Sequence, residues 1–74
     1  MKKYICICEC LAIQITQDDT RVPKVIYKKL EVIVFKDRFS YEGNRFVKIL
    51  EISNECILMI PLEQFHKCFE VVLG

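Results

Sequence analysis

The chain has 74 residues, a formal net charge of +1 at pH 7 and a hydrophobic content of 53%. A chain of this length makes one domain, so residues 1–74 are predicted to form a single small unit. The nearly balanced charge excludes binding that depends on non-specific attraction to phosphates, because such binding needs a strong basic excess.

The hydrophobic content is high for so small a domain. The core of so small a domain rarely supplies more than about 3–5 kcal/mol of net stability, and a small sphere has much surface for its volume. The apolar residues also occur in runs that cover both faces of the predicted strands. We therefore expect an exposed apolar patch that serves self-association as a dimer or the binding of a larger protein, rather than apolar residues scattered singly over the surface.

Three features of the sequence bear on the compartment. No apolar run reaches the roughly 18 residues that span a bilayer, which predicts no membrane partner. Glu9 and Gln14 interrupt the apolar run near the N-terminus, so we expect no targeting segment and a cytoplasmic location. The five cysteines are an odd number, which favours free thiols over a disulfide framework.

The first predicted strand runs from Lys2 to Thr16, with a bulge near Glu9 and Cys10. One face is bulky and is expected to suit the core; it carries Ile5, Ile7, Leu11, Ile13 and Ile15. The other face is small and is expected either to let a second layer approach closely or to form an interface; it carries Tyr4, Cys6, Cys8, Cys10 and Ala12.

A loop is predicted at Gln17–Pro23, because its two aspartates favour turns. The second predicted strand is Lys24–Lys36, and Lys28 and Lys29 make its first half polar, as in an edge strand. A partner strand could add to that edge near Tyr27–Lys29. The predicted interface residues are therefore Tyr4, Cys6, Cys8, Cys10, Tyr27 and Lys29.

The segment Lys36–Arg45 is polar and contains two aromatic residues. Phe39–Tyr41 is predicted to form a short strand followed by a turn at Gly43, because glycine readily adopts positive φ. Basic and aromatic side chains together can track phosphates and stack on bases. The candidate contacts to single-stranded nucleic acid are Lys36, Arg38, Phe39, Tyr41 and Arg45. The alternative is a solvated hairpin whose aromatic rings fold back onto the sheet.

The stretch Arg45–Pro61 predicts a hairpin of two apolar strands around a polar turn. With Asn54 and Glu55 as a two-residue loop, Ile52 lies opposite Ile57. Both faces of this hairpin are apolar, so we expect it at the centre of the sheet, covered on both sides or facing another chain. The proline at its end cannot donate to a ladder, so the second strand ends there.

After the hairpin, a short helical turn at 61–67 and a strand at 68–73 are predicted, with a continuous C-terminal helix as the alternative. The chain is therefore expected to be mainly β: a small antiparallel SH3-like barrel, or a strongly bent sheet of five to six strands with this one helical turn. The alternative architecture is α+β, an antiparallel sheet with a C-terminal helix packed on one face.

The run Cys6, Cys8 and Cys10 is the candidate for zinc binding or redox chemistry. On one regular strand, residues two apart are separated by about 6.6–6.8 Å, too far for thiolates that share one zinc ion. Free cysteines usually behave as small buried hydrophobes, so no metal and no cofactor are predicted. His66 and Cys68 lack an orienting third group, so no catalytic residue is predicted either.

The sequence thus predicts a non-catalytic protein-interaction module, a regulator or inhibitor that acts by binding a larger protein. Its abundant Ile and Lys and single Ala are typical of AT-rich bacterial and phage genomes, which points to a phage or mobile-element gene. Two other functions stay open. One is a small barrel that binds single-stranded nucleic acid through residues 36–45, and the other is a zinc-binding or redox protein that uses Cys6, Cys8 and Cys10.

Overall fold

The protein is an antiparallel β-sheet with one short helix, described for residues 2–72 by a computed structural model. Its seven strands in this range are β1 Lys3–Cys6, β2 Cys10–Ile15, β3 Arg21–Ile26, β4 Glu31–Tyr41, β5 Asn44–Glu51, β6 Cys56–Pro61 and β7 Phe69–Val71. The helix α1, Leu62–Cys68, lies between β6 and β7 in the chain. The order of strands in the sheet is β3-β2-β6-β5-β4-β1-β7.

The chain is mainly β and its sheet is strongly bent, as expected, but the sheet has seven strands within residues 2–72 instead of five to six, because both long predicted strands break in two. The sheet is not closed into a barrel, because β3 and β7 remain as its two edges within residues 2–72. The helical turn followed by a strand is also confirmed, and the continuous C-terminal helix is wrong. Leu73, at the end of the predicted strand 68–73, lies outside the described residues. No helix in the described range is long and apolar enough to cross a membrane.

One side of the sheet, here called the inner face, carries the core. Its buried cluster consists of Cys6, Cys10, Ala12, Ile26, Val32, Val47, Ile49, Leu58, Ile60, Phe65, Cys68 and Phe69. The helix α1 contributes Phe65 and Cys68, which are three residues apart and so lie on one helical face. The ring of Phe65 stacks on Phe69 and meets Tyr4 edge-on, with 5.0 Å between ring centres in both cases.

The prediction of one strand from Lys2 to Thr16 was wrong, because the chain breaks at residues 7–9. On one side of the break, β1 pairs with β4 and β7, whereas β2 on the other side pairs with β3 and β6. The amide of Cys6 donates to the carbonyl of Leu30, and the next amide, Ile7, donates to Cys68. The chain therefore passes from one half of the bent sheet to the other.

The predicted core face of this segment was also wrong. Cys6, Cys10 and Ala12 are buried, whereas Ile7 and Leu11 from the bulky face are exposed. The physical reason is that small side chains on the inner face let the two halves of the sheet and α1 approach closely, which bulky residues there would prevent.

The second predicted strand, Lys24–Lys36, also breaks, with a turn at residues 27–30 between β3 and β4. Lys29 lies at φ 76°, a left-handed conformation that ends the extended run. The predicted loop is shorter than expected, because β3 starts at Arg21 and includes Pro23. Residues 24–26 of the predicted first half do lie in the edge strand β3, but Lys28 and Lys29 lie in the turn that follows. Proline fits an edge strand because it has no N–H for a ladder.

The central hairpin is confirmed in position but not in register. The strands β5 and β6 are the middle pair of the sheet, joined by a four-residue loop at 52–55. Ile57 consequently lies opposite Leu50, two residues from its predicted partner. Glu55 rather than Asn54 adopts positive φ, and the Asn54 amide group instead donates to the carboxylate of Glu51.

A second hairpin joins β4 and β5 through Glu42 and Gly43, whose φ values are 51° and 81°. Two positive φ values in a two-residue loop match the primed turns that suit the twist of a hairpin. The turn at Gly43 is therefore confirmed, but Phe39–Tyr41 is the end of β4 rather than a separate strand. The pairing of β4 with β5 shifts register twice, between Val34 and Phe39, and such bulges bend a strand.

A buried ion pair crosses the inner side of the bend. The carboxylate of Glu51, at the end of β5, is 1% exposed and lies 3.0 Å from the ammonium of Lys24 in β3. Two strands, β2 and β6, separate β3 from β5 in the sheet. The contact therefore requires the sheet to curve strongly, and it joins an edge strand to the centre.

Removing the counter-ion of Glu51 should be costly. Lys24→Met leaves a buried carboxylate with only Asn54 as its partner, so the free energy of unfolding should fall by about 3 kcal/mol. The matched control is Lys3→Met, which breaks the Lys3–Glu31 pair, 45% exposed on both sides. That change should cost less than about 1 kcal/mol. Urea denaturation measures both, and equal losses would contradict a structural role for the buried pair.

The turn at residues 42 and 43 should respond to substitutions in opposite directions. Gly43→Ala should lower stability by about 1 kcal/mol, because alanine is strained at positive φ. A Cβ at this position would meet no atom within 4 Å, so the effect isolates the backbone conformation. Glu42→Asn should raise stability by several tenths of a kcal/mol, since asparagine tolerates this conformation better. The midpoint of thermal unfolding should shift by about 4–8 °C per kcal/mol. If both variants shifted the midpoint in the same direction, the positive-φ turn at residues 42 and 43 would be disproved.

Candidate functional site

An exposed apolar patch lies on the open edge of the sheet. Leu11 in β2 and Val25 in β3 are directly paired, so their side chains share one face. They are 58% and 40% exposed, and Tyr27, directly after β3, is 65% exposed. We call Leu11, Val25 and Tyr27 the edge patch. Exposed apolar residues that are neighbours in space form a surface that a binding partner can cover.

The edge next to this patch does not offer the predicted docking mode. Tyr27–Lys29 lies in a turn rather than a strand, so strand addition at that segment is wrong. The amide of Lys29 is already used, because it donates to the carbonyl of Cys6 at 2.8 Å. The neighbouring strand β3 contains Pro23, which cannot donate to an added strand. A partner at this edge would therefore bind mainly through side-chain contacts rather than through backbone hydrogen bonds.

Four of the six predicted interface residues face the core instead of solvent. Cys6 and Cys10 are buried, and Tyr4 and Cys8 are partly buried against the core cluster. Tyr27 and Lys29 remain exposed. The small-residue face is thus the packing face of the first segment. On the bulky face, Ile7 and Leu11 are exposed, whereas Ile5, Ile13 and Ile15 are partly buried.

Four cysteines converge where the break at residues 7–9 meets the end of α1. The Sγ atom of Cys8 lies 2.7 Å from the Sγ atom of Cys68. The thiol of Cys6 donates to the carbonyl of Cys8 at 3.0 Å, and Cys10 lies near enough to Cys6 and Cys68 for both to raise its pKa. We call these four residues the thiol cluster. All are free thiols in the structure.

The surroundings of Cys6, Cys8 and Cys10 favour the protonated forms of these three thiols. Burial raises the pKa of Cys6, and burial together with the neighbouring thiols of Cys68 and Cys6 raises the pKa of Cys10 to about 12. The pKa of Cys8 is raised chiefly by its hydrogen bond with Cys68, while the positive charge of Lys28 acts in the opposite direction. Cys8 is the member with both partial exposure and a nearby cation.

The expectation that Cys6, Cys8 and Cys10 are spread along a regular strand was wrong, because that strand breaks. Even so, among residues 2–72 no group of three or more His, Cys, Asp or Glu side chains is placed to hold a metal ion. His66 is exposed and Cys68 is buried, so the two do not present a shared surface for catalysis. The chemistry that this geometry supports is thiol chemistry between neighbouring sulfur atoms.

The predicted nucleic-acid residues are only partly brought together. The ammonium groups of Lys36 and Lys48 lie 5.8 and 5.3 Å from the ring centre of Phe39. The guanidinium of Arg21 lies 5.0 Å from the ring centre of Tyr41, which ties the tip of the β4–β5 hairpin to β3. These rings therefore hold cations of their own chain, and base stacking would have to displace them. Two further predicted contacts, Arg38 and Arg45, are exposed.

Sequence patterns missed Leu11 as a functional candidate, and they did not predict that Cys68 lies against Cys8. Alternation along the strand places Leu11 on one face and its neighbours on the other. It does not tell which of the two faces is exposed. Cys68 is separated from Cys8 by 60 residues, and no local pattern reports such a contact. The only sequence feature that indicated the position of the edge patch was the lysine pair after Tyr27, because lysines are typical of solvent-exposed sheet edges.

No family model, curated protein or solved structure matches this chain. The function is therefore inferred from the edge patch, the thiol cluster and the charges around them.

Proposed function

We propose that this chain is a non-catalytic interaction module that regulates a larger protein by binding it through the edge patch. The observation that carries this proposal is the direct pairing of Leu11 with Val25, both exposed, beside the still more exposed Tyr27. Tyrosine is enriched among the residues that dominate binding energy at interfaces. The patch is also apolar at its centre and polar at its border, which is the common anatomy of a protein interface.

The charges beside the edge patch indicate the chemistry of the partner. Lys28 and Lys29 are exposed and follow Tyr27 directly. A shallow recess of ≈ 400 Å³ next to Tyr27 is lined by these lysines together with Lys24, Val25, Leu30, Glu51 and Asn54. A partner with acidic side chains around an apolar contact would complement this border.

The same charges favour a different protein over a second copy of this chain. In a two-fold dimer the same surface meets itself, so the lysine-bordered patch of one copy would face a surface that carries the same positive charges. Like charges placed opposite each other at an interface oppose association. Of the two occupants expected from the composition, the larger protein is therefore the one proposed.

A charge on the edge patch should abolish binding without unfolding the domain. Leu11→Glu should weaken capture of the partner from lysate of the native cells by about 30-fold, equivalent to the loss of one dominant contact. The matched control is Ile52→Glu, which places the same charge on an exposed apolar residue in the 52–55 loop. Quantitative mass spectrometry of the captured proteins measures both, and circular dichroism checks the fold.

Three outcomes would contradict the proposal in different ways. Capture that survives Leu11→Glu, or that is lost equally with Ile52→Glu, would show that the edge patch is not the binding surface. A dimer in native mass spectrometry that Leu11→Glu dissociates would make a second copy the occupant. Binding of labelled single-stranded RNA or DNA at low salt, weakened by Lys36→Glu, would favour the nucleic-acid function instead.

A further inference from the structure

We propose that Cys8 and Cys68 form a reversible disulfide bond that fastens the β1–β2 connection to the end of α1. The two Sγ atoms lie 2.7 Å apart. A disulfide bond brings sulfur atoms to about 2.05 Å, so closure needs a movement of less than about 1 Å. The bond is independent of the edge patch and of any protein that binds there.

The backbone around the two cysteines is already aligned for this bond. The amide of Ile7 donates to the carbonyl of Cys68 at 2.7 Å, which extends the pairing of Cys6 with Phe69 between β1 and β7. A disulfide forms without backbone movement only when the two chains are close and the Cβ atoms point toward each other. The hydrogen bond fixes the first condition, and the contact between the sulfur atoms satisfies the second.

The two thiols differ in access, and this difference sets the order of reaction. Cys8 is partly exposed, whereas Cys68 is buried and accepts a hydrogen bond from the side-chain amide of Gln64 at 3.5 Å. The oxidant is a small-molecule disulfide of the glutathione type, which can reach only the exposed thiol. The structure thus provides one accessible entry thiol next to one buried resolving thiol.

The reaction proceeds by two thiol–disulfide exchanges. Cys8 loses its proton, and its thiolate attacks one sulfur atom of the small disulfide, releasing one small thiolate and leaving a mixed disulfide on Cys8. The thiolate of Cys68 then attacks the Sγ atom of Cys8 and releases the second small thiolate. In sum, two protein thiols and one small disulfide give one protein disulfide and two small thiols.

The consequence of closure is mechanical. The bond would link residues 60 positions apart in the chain and pin the break between β1 and β2 to the helix. A cross-link between distant residues restricts the unfolded chain more than the folded one. Oxidation should therefore raise the midpoint of thermal unfolding by about 10 °C.

The test treats the folded protein with glutathione disulfide and then maps its bonds. Intact mass spectrometry should show the loss of two hydrogen atoms, peptide mapping should find Cys8 joined to Cys68, and dithiothreitol should restore both thiols. Cys8→Ser should abolish closure, whereas Cys56→Ser, at a partly exposed cysteine outside the thiol cluster, should leave it unchanged. Peptide mapping of the chain without substitutions tests the Cys8–Cys68 bond even if one of the variants folds poorly.

Other products would overturn the proposal. A mixed disulfide that persists on Cys8 would show that Cys68 cannot resolve it. A bond between Cys10 and Cys68 would show that Cys10, not Cys8, is the thiol that reacts with the small disulfide. Cross-linked dimers as the main product would mean that the thiol of Cys8 reacts outward. Closure with no rise in the unfolding midpoint would remove the mechanical role.

Discussion

The bend of this sheet depends on a charge that cannot be left alone in the interior. The carboxylate of Glu51 is the buried charged group among the described residues, and a buried carboxylate without a partner is strongly destabilising. Its partner, Lys24, comes from an edge strand that two intervening strands separate from β5. Satisfying this one group therefore requires the edge to curl toward the centre, and the same curl closes the inner face over the apolar core.

The break at residues 7–9 meets a second constraint, which is that one straight strand cannot form hydrogen bonds with strands in both halves of a curled sheet. Because of the break, β1 pairs with β4 in one half of the sheet and β2 pairs with β6 in the other. The alternation of side chains then does two things at once. Cys6, Cys8 and Cys10 turn toward α1, and Leu11 turns outward onto the surface. The thiol cluster and the edge patch are thus two faces of the same short segment.

This arrangement separates two kinds of chemistry. The edge patch offers apolar contact area bordered by lysines, which suits recognition of another protein. The thiol cluster lies on the inner side, where it joins the break to the helix and where only Cys8 is accessible enough to react.

The sequence by itself determined the features that local physics controls. The hairpin turn at Gly43, the helical turn after Pro61 and the mainly β composition all follow from backbone preferences within a few residues. The breaks in the two long strands, the register of Ile57 and the outward face of Leu11 were decided only by the tertiary structure. When both faces of a strand are apolar, alternation identifies two faces but not which one is inside. Which face is buried depends on the packing of α1 against the small side chains and on the ion pair between Lys24 and Glu51. Both are contacts between residues that are distant in the sequence.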